Sequence, residues 1–228
     1  MFARLKSARG GNLLLELLML VVGINIALWF EGKFEDFRDT RTEIEYLEGL
    51  AEDLRSDVRD LDMIIRQNRE KVSRLEGILP RLPGLAGASD EEQAATIFEA
   101  SSYGFFEPSD FTYTSMQESG DFRLLSDPQT KESILRLIRQ YRQIDTLQGN
   151  FIQAMDDGYI PVMMSKFNLQ EMRIDDPTIM DDLSFRNFFV FTLQDTGNRV
   201  ASYEEARRQA AALLVLIEQR LGARSASG

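Results

Sequence analysis

The chain has no cysteine and no histidine among its 228 residues. Without cysteine there is no disulfide framework and no thiolate nucleophile. Without histidine the usual general base is missing, and so is the commonest ligand for zinc, copper and iron. Neither a Gly-x-Ser-x-Gly elbow nor a phosphate-cradling glycine loop occurs. The acidic pairs Asp156-Asp157, Asp175-Asp176 and Asp181-Asp182 lack the spacing and central glycine of a calcium loop and read as solvated charge. The expectation is a protein that is not an enzyme, with no catalytic residue, no metal and no cofactor. Basic residues are also scarce, 26 against 37 acidic ones, for a formal charge of −11. Arg4, Lys6 and Arg9 contribute +3 and Glu16 −1, which leaves −13 beyond residue 30. That sign excludes nucleic acid as a partner, because its phosphates need cations to neutralise them. Alternating strand-like runs are absent too, so the expected fold class is all-α.

What is present is one long apolar run, Leu13 to Phe30. At about 1.5 Å per residue its 18 residues span roughly 27 Å, close to the roughly 30 Å hydrocarbon core of a bilayer. The run predicts a transmembrane helix over 13–30, preceded by a short basic tail over 1–12. It is long for a cleaved signal peptide and has no small-residue cleavage pattern. Arg4, Lys6 and Arg9 before it balance Lys33, Arg38 and Arg41 after it, but only the first three have no acidic neighbours. The expected topology is a single pass through a bacterial inner membrane, with a cytoplasmic N-terminus and a periplasmic body.

Four residues in the run are unusual for a plain anchor. Glu16 either snorkels to the interface or meets a partner helix. Gly23 and Ala27 form a small-xxx-small pair that allows close helix approach, and Asn25 offers an amide for bonding across helices. Glu16, Gly23, Asn25 and Ala27 are therefore the candidate interface for an integral membrane partner or for self-association.

After the run, a heptad pattern places Ile44, Ala51, Val58, Ile65, Val72 and Leu79 at one seam position. Leu47, Leu54, Leu61, Asn68, Leu75 and Leu82 occupy the other. In a parallel homodimer Glu43 would face Glu48 and Asp57 would face Asp62, both repulsive. Leu50, Ile64 and Ile78 also widen the stripe, so the segment reads as the spine of an extended antiparallel bundle, with other helices of the same chain against it. Asn68 reads as a register-setting polar residue. Leu79-Pro80-Arg81-Leu82-Pro83-Gly84 ends the spine near Leu79.

The bundle domain is expected over 31–221, with a disordered tail over 222–228. Ser89-Asp90-Glu91-Glu92 is a capping box opening a short helix through about Ser102. Ser109 caps a second short helix that ends at Ser119, with Gly120 behind it. Asp127-Pro128 starts a long helix whose apolar face runs from Ile134 through Tyr141 and Phe151 to Met155, stopped by Gly158-Tyr159-Ile160-Pro161. Residues 171–182 read as an acidic loop. A last helix, roughly Leu183 to Leu221, carries Phe188, Phe189, Thr192, Ala206, Ala210, Leu213, Leu214, Ile217 and Leu221 on its apolar face and is long enough to lie along the spine.

Several of these segments coincide with one pattern. Leu15-Glu16-Leu17, Val21-Val22-Gly23-Ile24 and Ile26-Ala27-Leu28 lead into Glu45-Tyr46-Leu47 and Leu50, Asp53 and Leu54. Further on come Pro108-Ser109-Asp110, Thr112-Tyr113, Ser119-Gly120, Leu124-Leu125 and the Ile138 to Tyr141 helix. Together they resemble a bacterial family of single-pass membrane proteins of unknown function over nearly the whole chain. Trp29-Phe30-Glu31-Gly32 departs from the more polar membrane exit of that family. The resemblance implies an anchor and a helical fold, and it brings no activity.

Two functions fit these observations. The first is a non-catalytic helical scaffold or accessory subunit, joined to a membrane complex through the anchor face or self-associated through anchor or spine. The second is a sensory or ligand-binding module that signals through a membrane partner, with a pocket among Phe106, Ser109, Asp110 and Tyr113. Aromatic residues crowd that motif, although aromatics more often fill cores.

Overall fold

The computed structural model describes residues 7–225, without the side chains of residues 7–15, 27, 28, 30, 32, 224 and 225. One helix, α1, runs from Ser7 to Ile78. Its 72 residues make a rod of about 108 Å, with no break at Gly32. A 3₁₀ stretch over Leu79–Gly87 contains Pro80 and Pro83 and buries Leu82 and Leu85, so the spine ends where its prolines require. Then come α2 (Asp90–Ser101) and α3 (Phe111–Ser119), a 3₁₀ turn over Asp121–Leu124, and α4 (Pro128–Ala154). A helical turn of π type, Met155–Tyr159, leads into α5 (Ile160–Lys166). A two-stranded antiparallel hairpin of β1 (Phe167–Asn168) and β2 (Arg173–Ile174) and a 3₁₀ turn over Pro177–Asp181 follow, before α6 (Leu183–Ser225) closes the chain.

Local chemistry sets most of these boundaries. The Ser89 hydroxyl accepts from Glu92 N, and the Asp127 carboxylate accepts from Thr130 N with Pro128 in the first turn, so α2 and α4 begin at side-chain caps. Gly120 adopts φ 77°, the left-handed conformation that suits glycine behind a helix C-terminus.

Three boundaries differ from the sequence expectation. Gly158 and Pro161 do not end the helical path. Ile160 N donates to Met155 O, and this wider turn places Pro161 in the first turn of α5, where its missing donor costs nothing. The predicted acidic loop contains β2, whose Ile174 N donates 2.9 Å to Gln93 Oε1 on α2, while Gln93 Nε2 donates to Ala86 O and Ala88 O. Helix α6 extends to Ser225, through the first part of the predicted tail, and residues 226–228 lie outside the described residues.

Helices α1, α4 and α6 form the long bundle. Arg55–Glu218, Asp62–Arg207 and Arg69–Glu204 pair α1 with α6 in descending order, which makes the two antiparallel. The core divides into two apolar clusters. One contains Leu47, Leu54, Leu61, Ile134, Leu137, Ile144, Ala206, Ala210 and Ile217. The other contains Leu75, Ile97, Phe151, Tyr159, Met163, Phe185, Phe188 and Phe189 and takes in α2, α5 and the hairpin.

The described part of the apolar run lies outside both clusters. Leu17, Leu18, Met19 and Leu20 are 58–69% exposed, and Val21, Val22, Ile24 and Ile26 are exposed as well. Leu13, Leu14, Leu15, Ala27, Leu28 and Phe30 are outside the described side chains. Among the described residues no helix is long and apolar enough to cross a membrane.

Candidate functional site

The Pro108-Ser109-Asp110 motif is held to the spine by two aspartates one turn apart. Asp57 Oδ1 accepts from Ser109 N at 2.7 Å and Oδ2 accepts from the Tyr141 hydroxyl at 2.6 Å, while Asp53 Oδ2 accepts from Thr112 N at 3.1 Å. The first turn of α3 is thus capped by α1, and Ser109 is not its cap. Asp110 occupies the N-cap position with φ −109° and ψ 10°, and its own side chain makes no capping bond. Gly49 lets α3 approach closely, since a Cβ there would meet Thr112 Oγ1 at 2.9 Å. Burial raises the Asp57 pKa above the usual carboxylate value, with the hydrogen bonds from Ser109 and Tyr141 opposing. The same burial, with the Asp57 charge beside it, pushes the Tyr141 phenol strongly up, so Tyr141 is the donor of that bond.

Between α3, α4 and the Phe105–Asp110 linker lies a cleft of about 600 Å³, within the size range of small-molecule sites. Phe106, Asp110 and Tyr113, three of the four pocket residues named from the sequence, line it, together with Tyr141, Asp145, Gln148 and Gly149. Ser109 is not in the lining.

Behind the cleft lies a layer of buried polar side chains. Gln148 Oε1 accepts from Phe106 N at 3.0 Å and from the Tyr203 hydroxyl at 2.8 Å, and its Nε2 donates to Phe106 O. Arg199 is 1% exposed. Its guanidinium lies 5.2 Å from the Phe105 ring centre and 4.5 Å from that of Phe151, and its Nε is 3.1 Å from Asp195 Oδ2. Lys71 stands 5.6 Å from the Phe151 ring centre and donates to Ser102 O and Ala100 O at the end of α2, where a cation suits the helix dipole. Burial, with the Arg199 charge next in weight, pulls the Lys71 pKa down to about 8. Burial also raises Asp195, with Arg199 opposing, and lowers Arg199, with Asp195 opposing. Among the described residues Thr192 Oγ1 and Arg199 Nη1 have no hydrogen-bond partner.

The four residues singled out in the apolar run are placed differently from one another. Glu16, Gly23 and Asn25 are exposed, and the side chain of Ala27 lies outside the described residues. The Asn25 amide donates to Val21 O at 2.7 Å, which satisfies it within its own helix. A Cβ on Gly23 would meet open space. Asn25 is two residues, about 200° of rotation, from Gly23, so it cannot share the Glu16–Gly23 face. Asn68 is buried and likewise donates to Ile64 O on its own helix, with no side-chain hydrogen bond to another helix among the described residues.

Sequence reasoning missed Glu43, Asp57 and Lys71 as buried charges. Glu43 accepts from Ser126 N and Oγ at 2.6 and 2.7 Å, so each of the three pins a loop to the spine. The signal was present, because these residues share one heptad position with Leu50, Ile64 and Ile78 and all six are buried. A position apolar at every second heptad faces protein throughout. Arg199 and Asp195 carried no comparable signal, as α6 alternates charge and apolar residues along most of its length. Among the described residues no group of three or more acidic side chains is close enough to hold a metal ion.

No curated protein and no solved structure matches the chain. A family model does match, over residues 16–195, from the apolar run through the cleft to Asp195 of the buried layer. The chain belongs to that family, DUF6090, a family of unknown function.

Proposed function

We propose that the protein is a non-catalytic, membrane-anchored helical scaffold or accessory subunit of a bacterial membrane complex. The observation that carries this reading is the exposed apolar segment of α1. Leu17 to Leu20 are consecutive, and at about 100° per residue they cover every face of the helix. An isolated helix that is apolar all round needs lipid or protein on all sides. Trp29, Phe34 and Phe37 are 61–73% exposed just beyond it, where an interfacial aromatic belt would sit. The unbroken helix continues through mostly exposed residues to Glu43, the first buried side chain among the described residues, so the body would stand about 18 Å from the bilayer. The Glu16–Gly23 face is the proposed contact with an integral membrane partner or a second copy.

The test is in-membrane crosslinking of a C-terminally tagged chain, then mild-detergent purification and mass spectrometry. The expected result is a stoichiometric membrane partner that is lost in the Glu16→Leu, Gly23→Leu variant. Release of the protein by alkaline carbonate would overturn the anchor, and an unchanged partner set in the variant would overturn the interface. The cleft favours a second reading, a ligand-binding or sensory module that signals through that partner.

A further inference from the structure

We infer that the α3–α4 cleft binds a small organic cation, a protonated or quaternary amine on an apolar body. The inference rests on the second reading above, since it names the ligand class of the same cleft. Charge complementarity carries it. Glu107, Asp110 and Asp145 line the cleft against a single cation, Arg142, and none of the four takes part in an ion pair among the described residues.

Asp110 is the informative member. An aspartate at an N-cap ordinarily spends its carboxylate on the first turn of its own helix. Here Asp53 reaches across from α1 to take the Thr112 amide, and Asp110, exposed and without a capping bond, is among the residues at the mouth of the cleft. The carboxylates are exposed, and the lining they share is aromatic. Phe106 and Tyr141 pack at 5.4 Å between ring centres, and Tyr113, whose hydroxyl has no hydrogen-bond partner among the described residues, also lines the cleft. Aromatic faces attract cations, and more strongly where water is partly excluded. The α4 side is open at Gly149, where a Cβ would meet nothing within 4 Å. An anionic ligand would face a net surplus of carboxylates, and a neutral one would leave that surplus unused.

The test uses the full chain in nanodiscs of zwitterionic lipid at pH 7, titrated calorimetrically with benzyltrimethylammonium, 2-phenylethanol and phenylacetate. The Gly149→Trp chain, which fills the cleft from a position with open space, serves as the blank for partition into lipid. Benzyltrimethylammonium is expected to bind the native chain above that blank, about fivefold more weakly after Asp110→Asn, and unchanged after Glu91→Gln on α2. If 2-phenylethanol or phenylacetate binds as well as the cation, or if Asp110→Asn has no effect, the cation assignment is overturned while the ligand-binding reading stands. If no probe distinguishes the native chain from Gly149→Trp, both are overturned.

Discussion

The two apolar clusters of the body solve different packing problems. Nearer the apolar run, three long regular helices present mainly aliphatic side chains in register. Leu47, Leu54 and Leu61 of α1 meet Ile134, Leu137 and Ile144 of α4 and Ala206, Ala210 and Ile217 of α6. Regular ridges and grooves are filled well by Leu, Ile and Ala. At the far end α2, the π turn, α5 and the hairpin meet at irregular angles, and Phe and Met take over. Phe151 there lies within 6.3 Å of Tyr103, Phe105, Phe188 and Phe191, centre to centre. Broad rings and flexible thioethers fill gaps that heptad spacing does not define. Between the clusters sits the layer of Asn68, Lys71, Gln148, Thr192, Asp195 and Arg199, all less than 9% exposed. The lesson is that regularity needs only the hydrophobic pattern, whereas a change of architecture within one bundle requires specific aromatic and charged contacts at the join.

Four experiments break or sharpen that contrast, each on the full chain by denaturant unfolding followed by far-UV circular dichroism. The largest effect is expected from Phe151→Ala, about 5 kcal/mol, since it opens a cavity and removes the ring facing both buried cations. Leu61→Ala in the regular cluster should cost about 3 kcal/mol, and equal losses would erase the distinction drawn between the ends. Next, Asp195→Leu should destabilise by about 3–4 kcal/mol because Arg199 and Lys71 lose their buried counter-charge. Adding Arg199→Met should recover most of that loss, and a double variant no better than the single would show that the pair is not coupled.

A smaller effect is expected from alkali. The folded pKa of Lys71 lies near 8, below its ordinary 10.5, so the unfolded chain binds more protons between those values. Lys71 therefore costs stability below pH 8, and stability should rise by on the order of 1–2 kcal/mol from pH 8 to 10. Above pH 10 the buried phenols Tyr141, Tyr159 and Tyr203, raised by burial, reverse the slope. Lys71→Met should flatten the rise, and a wild-type curve that is already flat would remove Lys71 as its source. The smallest effect, about 1 kcal/mol, is expected from Asp53→Ala, which uncaps α3. If the Asp110 carboxylate simply takes over, the loss will be smaller still and cation binding in the cleft will fall with it.

Much of this architecture was legible residue by residue. The caps Ser89 and Asp127, the left-handed Gly120 and the prolines after Leu79 act within a few residues of themselves, and each does locally what its chemistry predicts. Phe106, Asp110 and Tyr113 could be grouped in advance because aromatics and a turn motif coincide within eight positions, and they line one cleft. Ser109 was misassigned because its partner, Asp57, lies 52 residues away on another helix. Pro161 was misread as a stop because a single wider turn, invisible to periodicity, moved it into a first turn.

The sequence by itself determined the elements: a long helix beginning in an apolar run, its proline-marked end, the capped starts of the helices after it and the apolar stripes that put them around a spine. These depend on periodicity and on hydrogen bonds between near neighbours, which act alike wherever the segment sits. Only the tertiary structure decided that Asp195 and Arg199 are buried, that Asp53 caps α3 in place of Asp110, and that Lys71, Asp195 and Arg199 meet around Phe151. The physical reason is separation. These groups lie on α1, α3, α4 and α6, and a charge becomes costly, shifted or available to a ligand only when distant parts of the chain remove water from it.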